Sequence, residues 1–71
     1  MTKRLTRREA SEYLIERGFR VSVNTLEKLA SLRQGPVYAI FGNRALYTAD
    51  DLDTWAEGRL KVRHPVAVGA A

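Results

Sequence analysis

The residues best suited to chemistry stand between Ser22 and Arg33, in the stretch SVNTLEKLASLR. Coiled as a helix, this stretch puts Val23, Leu26, Leu29, Ala30 and Arg33 on one stripe, apolar for most of its length. Asn24, Thr25, Lys28 and Ser31 then face the other way. Short hydrogen-bonding side chains with one cation among them are the mixture that reads base edges and phosphates in a DNA major groove. An ordinary solvated helix face has a similar composition, so the flanking elements must decide.

Other chemistry has little to stand on. No phosphate-binding loop is present, no histidine accompanies a nucleophile, and no pair of carboxylates flanks a plausible pocket. Asp50, Asp51 and Asp53 invite a metal reading, but they lack the spacing of an EF-hand loop, and helix capping and solubility explain them more simply. With no cysteine and a single histidine, His64, a structural zinc has no ligand set. We therefore expect no enzymatic activity, no metal and no cofactor.

Composition narrows the class. A chain of 71 residues allows one domain, near the size at which a single core barely offsets chain entropy. Twelve Lys and Arg against eight Asp and Glu leave a net charge of +4, and most of the cations are arginine, which forks onto phosphate and guanine. The charges are also segregated. Lys3, Arg4, Arg7, Arg8, Arg17, Arg20, Lys28, Arg33 and Arg44 come early, whereas Asp50, Asp51, Asp53 and Glu57 crowd a later segment. No apolar run approaches the roughly 20 residues of a membrane span, and the start MTKRLTRRE lacks the apolar stretch of a secretory signal. A soluble cytoplasmic protein with no membrane partner is expected.

The elements that position the reading face follow from local signals. Residues 1–4 form a basic arm, expected to be mobile. Thr6 and Glu9 make a capping box, with Leu5 and Ala10 placed for a hydrophobic staple, so a helix starts at Arg7. Ala10, Tyr13, Leu14 and Arg17 share its inner face, Arg7, Arg8 and Glu12 stay wet, and Gly18 supplies a left-handed stop. Phe19 and Val21 anchor the corner, and Ser22 caps the second helix. Gln34, Gly35 and Pro36 end that helix, since Gly permits positive φ and Pro cannot continue the ladder. VYAIF, GNR and ALYT then read as a β-hairpin over residues 37–47 that carries Asn43 and Arg44 at its tip. Thr48 and Asp51 cap a third helix, which ends near Gly58 and whose Trp55 is expected to plug the core.

The result is a mainly α fold with a small β-hairpin, in the order α-α-β-β-α. A helix-turn-helix followed at once by a hairpin is the arrangement of a winged helix-turn-helix, whose wing tip can reach a phosphate or a minor groove. Residues 5–58 form the domain. Residues 59–71, RLKVRHPVAVGAA, lack helical period and are expected to be a flexible tail that rides on a DNA backbone or docks on a neighbouring subunit or partner protein.

Over residues 5–60 the chain resembles the small excisionase-like, MerR-type winged helix-turn-helix proteins, recombination directionality factors and compact regulators of phages and mobile elements. The resemblance rests on LTRREASEYL, on NTLEKLASLRQGPVYAIFGNRALYTADDLDTWA and on the trailing GRL. Its most specific part is the spaced set Gly35, Pro36, Tyr38, Gly42, Arg44, Tyr47, Asp51, Leu52 and Trp55. The resemblance implies that the helix after Ser22 enters the major groove, with Ser22, Asn24, Thr25 and Lys28 as its contacts. It makes the hairpin a wing contacting DNA through Asn43 and Arg44, and Arg7, Arg8, Arg20 and Arg33 are the expected phosphate contacts. Double-stranded DNA, head-to-tail self-association on it and an integrase are the implied partners, in a bacterial or phage-encoded, nucleoid-associated protein. One departure stands out. IERGFRVSV lengthens the corner between Leu14 and Thr25, which either extends the first helix or widens the turn. A transcriptional regulator of the same fold and a protein-interaction module that binds no DNA remain open alternatives.

Overall fold

The computed structural model describes residues 3–61. Along them run β1 (Arg4–Thr6), α1 (Arg7–Glu16), α2 (Val23–Leu32), β2 (Ala39–Phe41), β3 (Arg44–Thr48) and α3 (Ala49–Arg59). Three helices thus accompany a three-stranded antiparallel sheet, and the order is β-α-α-β-β-α. The expected α-α-β-β-α order is preceded by a strand made of Arg4, the last residue of the expected mobile arm, and of Leu5 and Thr6, expected only as a staple and a helix cap.

That strand has a physical cause. Thr6 caps α1 from an extended backbone conformation (φ −69°, ψ 169°), and the two residues before it continue that extension alongside β3. Pairing Arg4 with Thr48, Leu5 with Tyr47 and Thr6 with Leu46 places Leu5 beside Tyr47 on the core side of the sheet. The strand order is β1-β3-β2, so β3 is central and β2 has one unpaired edge.

Helix termini follow the capping residues closely. In the α1 capping box Glu9 N–H donates to Thr6 Oγ1 at 3.2 Å and Thr6 N–H donates to Glu9 Oε1 at 2.9 Å. At its other end Gly18 N–H reaches the Ile15 carbonyl and Phe19 N–H the Leu14 carbonyl, a Schellman closure around a glycine with φ +95°. Residues 17–22 therefore form a wide corner between α1 and α2 and do not lengthen α1. The corner is held to the domain by Ser11, buried, whose hydroxyl donates to the Val21 carbonyl at 2.6 Å.

The second helix stops one step earlier than expected. Arg33, not a glycine, takes the left-handed conformation (φ 58°), with Gln34 N–H on the Leu29 carbonyl at 2.9 Å and Arg33 N–H on the Ala30 carbonyl at 3.1 Å. Gly35 serves a different purpose. A Cβ there would lie 3.1 Å from Leu29 Cβ, so the residue is small to let the chain pass close over α2, and Pro36 behind it is buried.

The core is Ala10, Leu14, Leu26, Tyr47, Leu52 and Ala56, where the three helices meet one face of β3. Tyr47, Leu14, Leu26 and Leu52 are its largest fully buried side chains. Trp55, expected to be the plug, sits half-buried against the edge of this cluster, because its indole N–H must reach the Gln34 carbonyl, 2.9 Å away. The third helix runs through Gly58 to Arg59, one residue beyond the expected end, and Arg59 lies over the Trp55 ring at 5.3 Å. Arg59 is therefore helical rather than part of a tail, and the remainder of the expected tail from residue 62 lies outside the described residues, as do residues 1–2 of the expected arm. No helix among the described residues is long and apolar enough to cross a membrane.

Candidate nucleic-acid interface

The arrangement of α2 follows from its one buried stripe. Leu26 is fully buried, with Val23, Leu29 and Ala30 half-buried beside it, which turns Asn24, Lys28 and Ser31 outward along a line at i, i+4 and i+7. Thr25 and Leu32 flank that line on one side and Glu27 on the other, all of them exposed. Glu27 escaped the sequence reading. Its spacing of three residues from Asn24 and four from Ser31 was the available signal, and it adds a carboxylate acceptor to a face otherwise rich in donors.

Two of the candidate residues also hold the helix start. Ser22 Oγ accepts the Thr25 N–H at 3.1 Å and lies 2.9 Å from Thr25 Oγ1. Each hydroxyl has one proton and two lone pairs, so one hydroxyl proton of the pair is still free to donate outward. An open depression beside them is lined by Ile15, Arg20, Val21, Ser22 and Thr25, which brings Arg20 next to the first turn of α2.

The hairpin is built around a two-residue turn, Gly42–Asn43. Gly42 has φ +66° and Asn43 does not share the positive sign, the pattern of a type II′ turn, whose first central position favours glycine. Asn43 and Arg44 are exposed at its tip. Across the turn Phe41 pairs with Arg44, Ile40 with Ala45 and Ala39 with Leu46. The root is clamped to α1. Arg7 Nε donates to Tyr47 Oη at 3.1 Å while its guanidinium lies 5.8 Å from the centre of the Tyr38 ring, and Tyr38 in turn meets Tyr47 at a centroid distance of 5.6 Å.

Arg7 is consequently half-buried and engaged, not a wet residue as its place in the first turn suggested. Arg17, expected on the inner face of α1, is exposed beyond its end, with its guanidinium 4.9 Å from the Tyr13 ring centre and Nε 3.4 Å from Asp53 Oδ1. Tyr13, and after it the Asp53 carboxylate, push its pKa further up, so it keeps its charge throughout the accessible pH range. Tyr13 Oη also donates to the Asp53 carboxylate at 3.0 and 3.1 Å, so Asp53 ties α3 to α1, a part that capping and solubility did not foresee. Arg17 with Asp53 is the one ion pair among the described residues.

Arg8, Arg20, Lys28, Arg33 and Arg44 are by contrast exposed and outside that pair. Arg33 is held in a left-handed conformation that costs a non-glycine residue on the order of 1 kcal/mol. Apart from Glu27 on α2, Glu9, Glu12 and Glu16 line an open depression on α1, and Asp50 and Asp51 occupy the first turn of α3, where the helix dipole favours them. Among the described residues no group of three or more His, Cys, Asp or Glu is placed to hold a metal ion. No protein-family model matches this chain, and no curated protein matches it at a significant level.

Proposed function

We propose that this chain is a sequence-specific DNA-binding protein of winged helix-turn-helix build, with α2 lying in the major groove and the β2–β3 hairpin as the wing. The observation that carries the reading is the outward line Asn24, Lys28 and Ser31 on a helix whose opposite stripe is buried, together with several exposed arginines that stand outside the one ion pair of the described residues. Asn24 suits the paired donor and acceptor of adenine, Glu27 an exocyclic amine, and Thr25 and Ser22 either partner. Lys28 and Arg44 meet guanine or phosphate, and Arg8, Arg20 and Arg33 neutralise the backbone. Arg7, with Nε on Tyr47, retains the outer nitrogens of its guanidinium for a phosphate contact.

Within that class the reading best supported is an excisionase that binds attachment-site DNA cooperatively, bends it and directs an integrase towards excision. A module this small buries only about 600–1,000 Å² on DNA, so specificity calls for several copies side by side. Stepwise, cooperative occupancy of an attachment site in a gel-shift titration is the expected result, and independent single-site binding would favour a transcriptional regulator instead.

Fluorescence anisotropy across a salt series tests DNA binding itself. Log affinity should fall linearly with log salt, by about 0.9 per neutralised phosphate, and Arg44→Ala should reduce that slope by about 1. Lys28→Ala should lower the preference for a selected site by about tenfold. Binding by both variants that is indistinguishable from the parent would show the surface to be wrong. The exposed apolar hairpin favours a second reading, a protein-interaction module, for which no salt-dependent affinity for any duplex is expected.

A further inference from the structure

The tip of the hairpin carries a feature that phosphate and base-edge contacts leave unexplained. Phe41 is 75% exposed, the most exposed large apolar side chain among the described residues, and it stands directly before the Gly42–Asn43 turn. In the register of the ribbon it faces Arg44 across the strands. Cross-strand partners project to the same face with Cβ atoms about 4.5–5.5 Å apart, so an aromatic ring and a guanidinium leave the tip side by side. Ile40, on the other face opposite Ala45, is also exposed. Ala45 itself packs against the core, so it is the end of the ribbon, from Ile40 to Arg44 along β2 and around the turn, that stands clear of the domain.

We propose that Phe41 is an apolar wedge: with Arg44 drawn into the minor groove, the phenyl ring enters between two adjacent base pairs, partly unstacks them and kinks the duplex. The proposal rests on the DNA-binding reading above. Arginine is attracted by the negative potential of a narrow minor groove, and apolar side chains carried beside such cations unstack base steps from that side. Turn residues as small as Gly42 and Asn43 let the tip approach the groove floor. Ile40 lacks an equivalent cation across the strand, since its partner is Ala45, which singles out Phe41 as the inserting residue.

The test uses the full chain and a short duplex that the parent selects from a random-sequence library, end-labelled for energy transfer so that bending shortens the donor–acceptor distance. The parent should kink the duplex by about 20–90°. Phe41→Ala should keep the salt slope, lose less than about tenfold in affinity and leave the duplex nearly straight. Phe41→Leu, which keeps an apolar wedge, should retain most of the bend, and it decides the matter if Phe41→Ala does not bind. A bend unchanged in Phe41→Ala, a straight duplex with Phe41→Leu or a straight duplex with the parent overturns the wedge while leaving DNA binding intact. Dissociation of a DNA-free oligomer by Phe41→Ala, with the bend unchanged, overturns it in favour of a protein interface on this face. Absence of salt-dependent binding by the parent removes the DNA reading itself.

Discussion

The helical core and the β2–β3 hairpin are made of the same kinds of residue and treat them in opposite ways. Leu14, Leu26, Tyr47 and Leu52 are all but sealed from water where α1, α2, α3 and one face of β3 converge. Ile40 and Phe41 are 61 and 75% exposed, on a ribbon that runs out past that convergence. β3 belongs to both regions, with Tyr47 in the core and Arg44 at the tip. Apolar side chains are therefore not buried by their identity alone. In a domain this small, a strand that outruns the only core leaves its side chains for whatever the molecule binds.

The comparison breaks most visibly in the core. Leu26→Ala removes a fully buried side chain at the point where α2 meets the rest, and should cost about 2–5 kcal/mol in urea unfolding. For a chain of this length that approaches the whole stability. Gly35→Ala comes next. The added Cβ lies 3.1 Å from Leu29 Cβ, and the crowding should cost about 1–3 kcal/mol, read as a lower unfolding midpoint with an unchanged denaturant slope. The smallest effect belongs to the hairpin: Ile40→Ala should alter stability by no more than about 0.5 kcal/mol. A loss comparable to that of Leu26→Ala would mean that the ribbon is covered in solution, and the contrast between the two regions would fail.

Local signals were the most legible part of the chain. Thr6 with Glu9, Ser22, and Thr48 with Asp51 mark the three helix starts, because a cap is satisfied by groups three residues away and needs no distant partner. The turn of the hairpin could be read for the same reason, although its strands are Ala39–Phe41 and Arg44–Thr48 where residues 37–47 were expected, and so could the outward face of α2. Arg7, Asp53 and Trp55 were placed less well, since each is bound to something far along the chain: Tyr47, Tyr13 and the Gln34 carbonyl. Gly35 is expected to supply a positive φ, and it does not adopt one. Its smallness answers to Leu29 rather than to a positive φ.

By itself, the sequence determined where the helices begin, where the ribbon turns and which residues of α2 face outward, all consequences of capping, turn chemistry and a 3.6-residue period. Tertiary structure alone decided that Arg4–Thr6 becomes a strand, that Tyr47 and not Trp55 sits at the centre, and that Arg7 bridges α1 to the root of the hairpin. A three-residue strand has no periodicity to announce it and forms only because β3, some forty residues on, offers an edge to pair with. The same dependence on distant neighbours separates a buried aromatic from an exposed one, and so it is packing that leaves Phe41 at the tip.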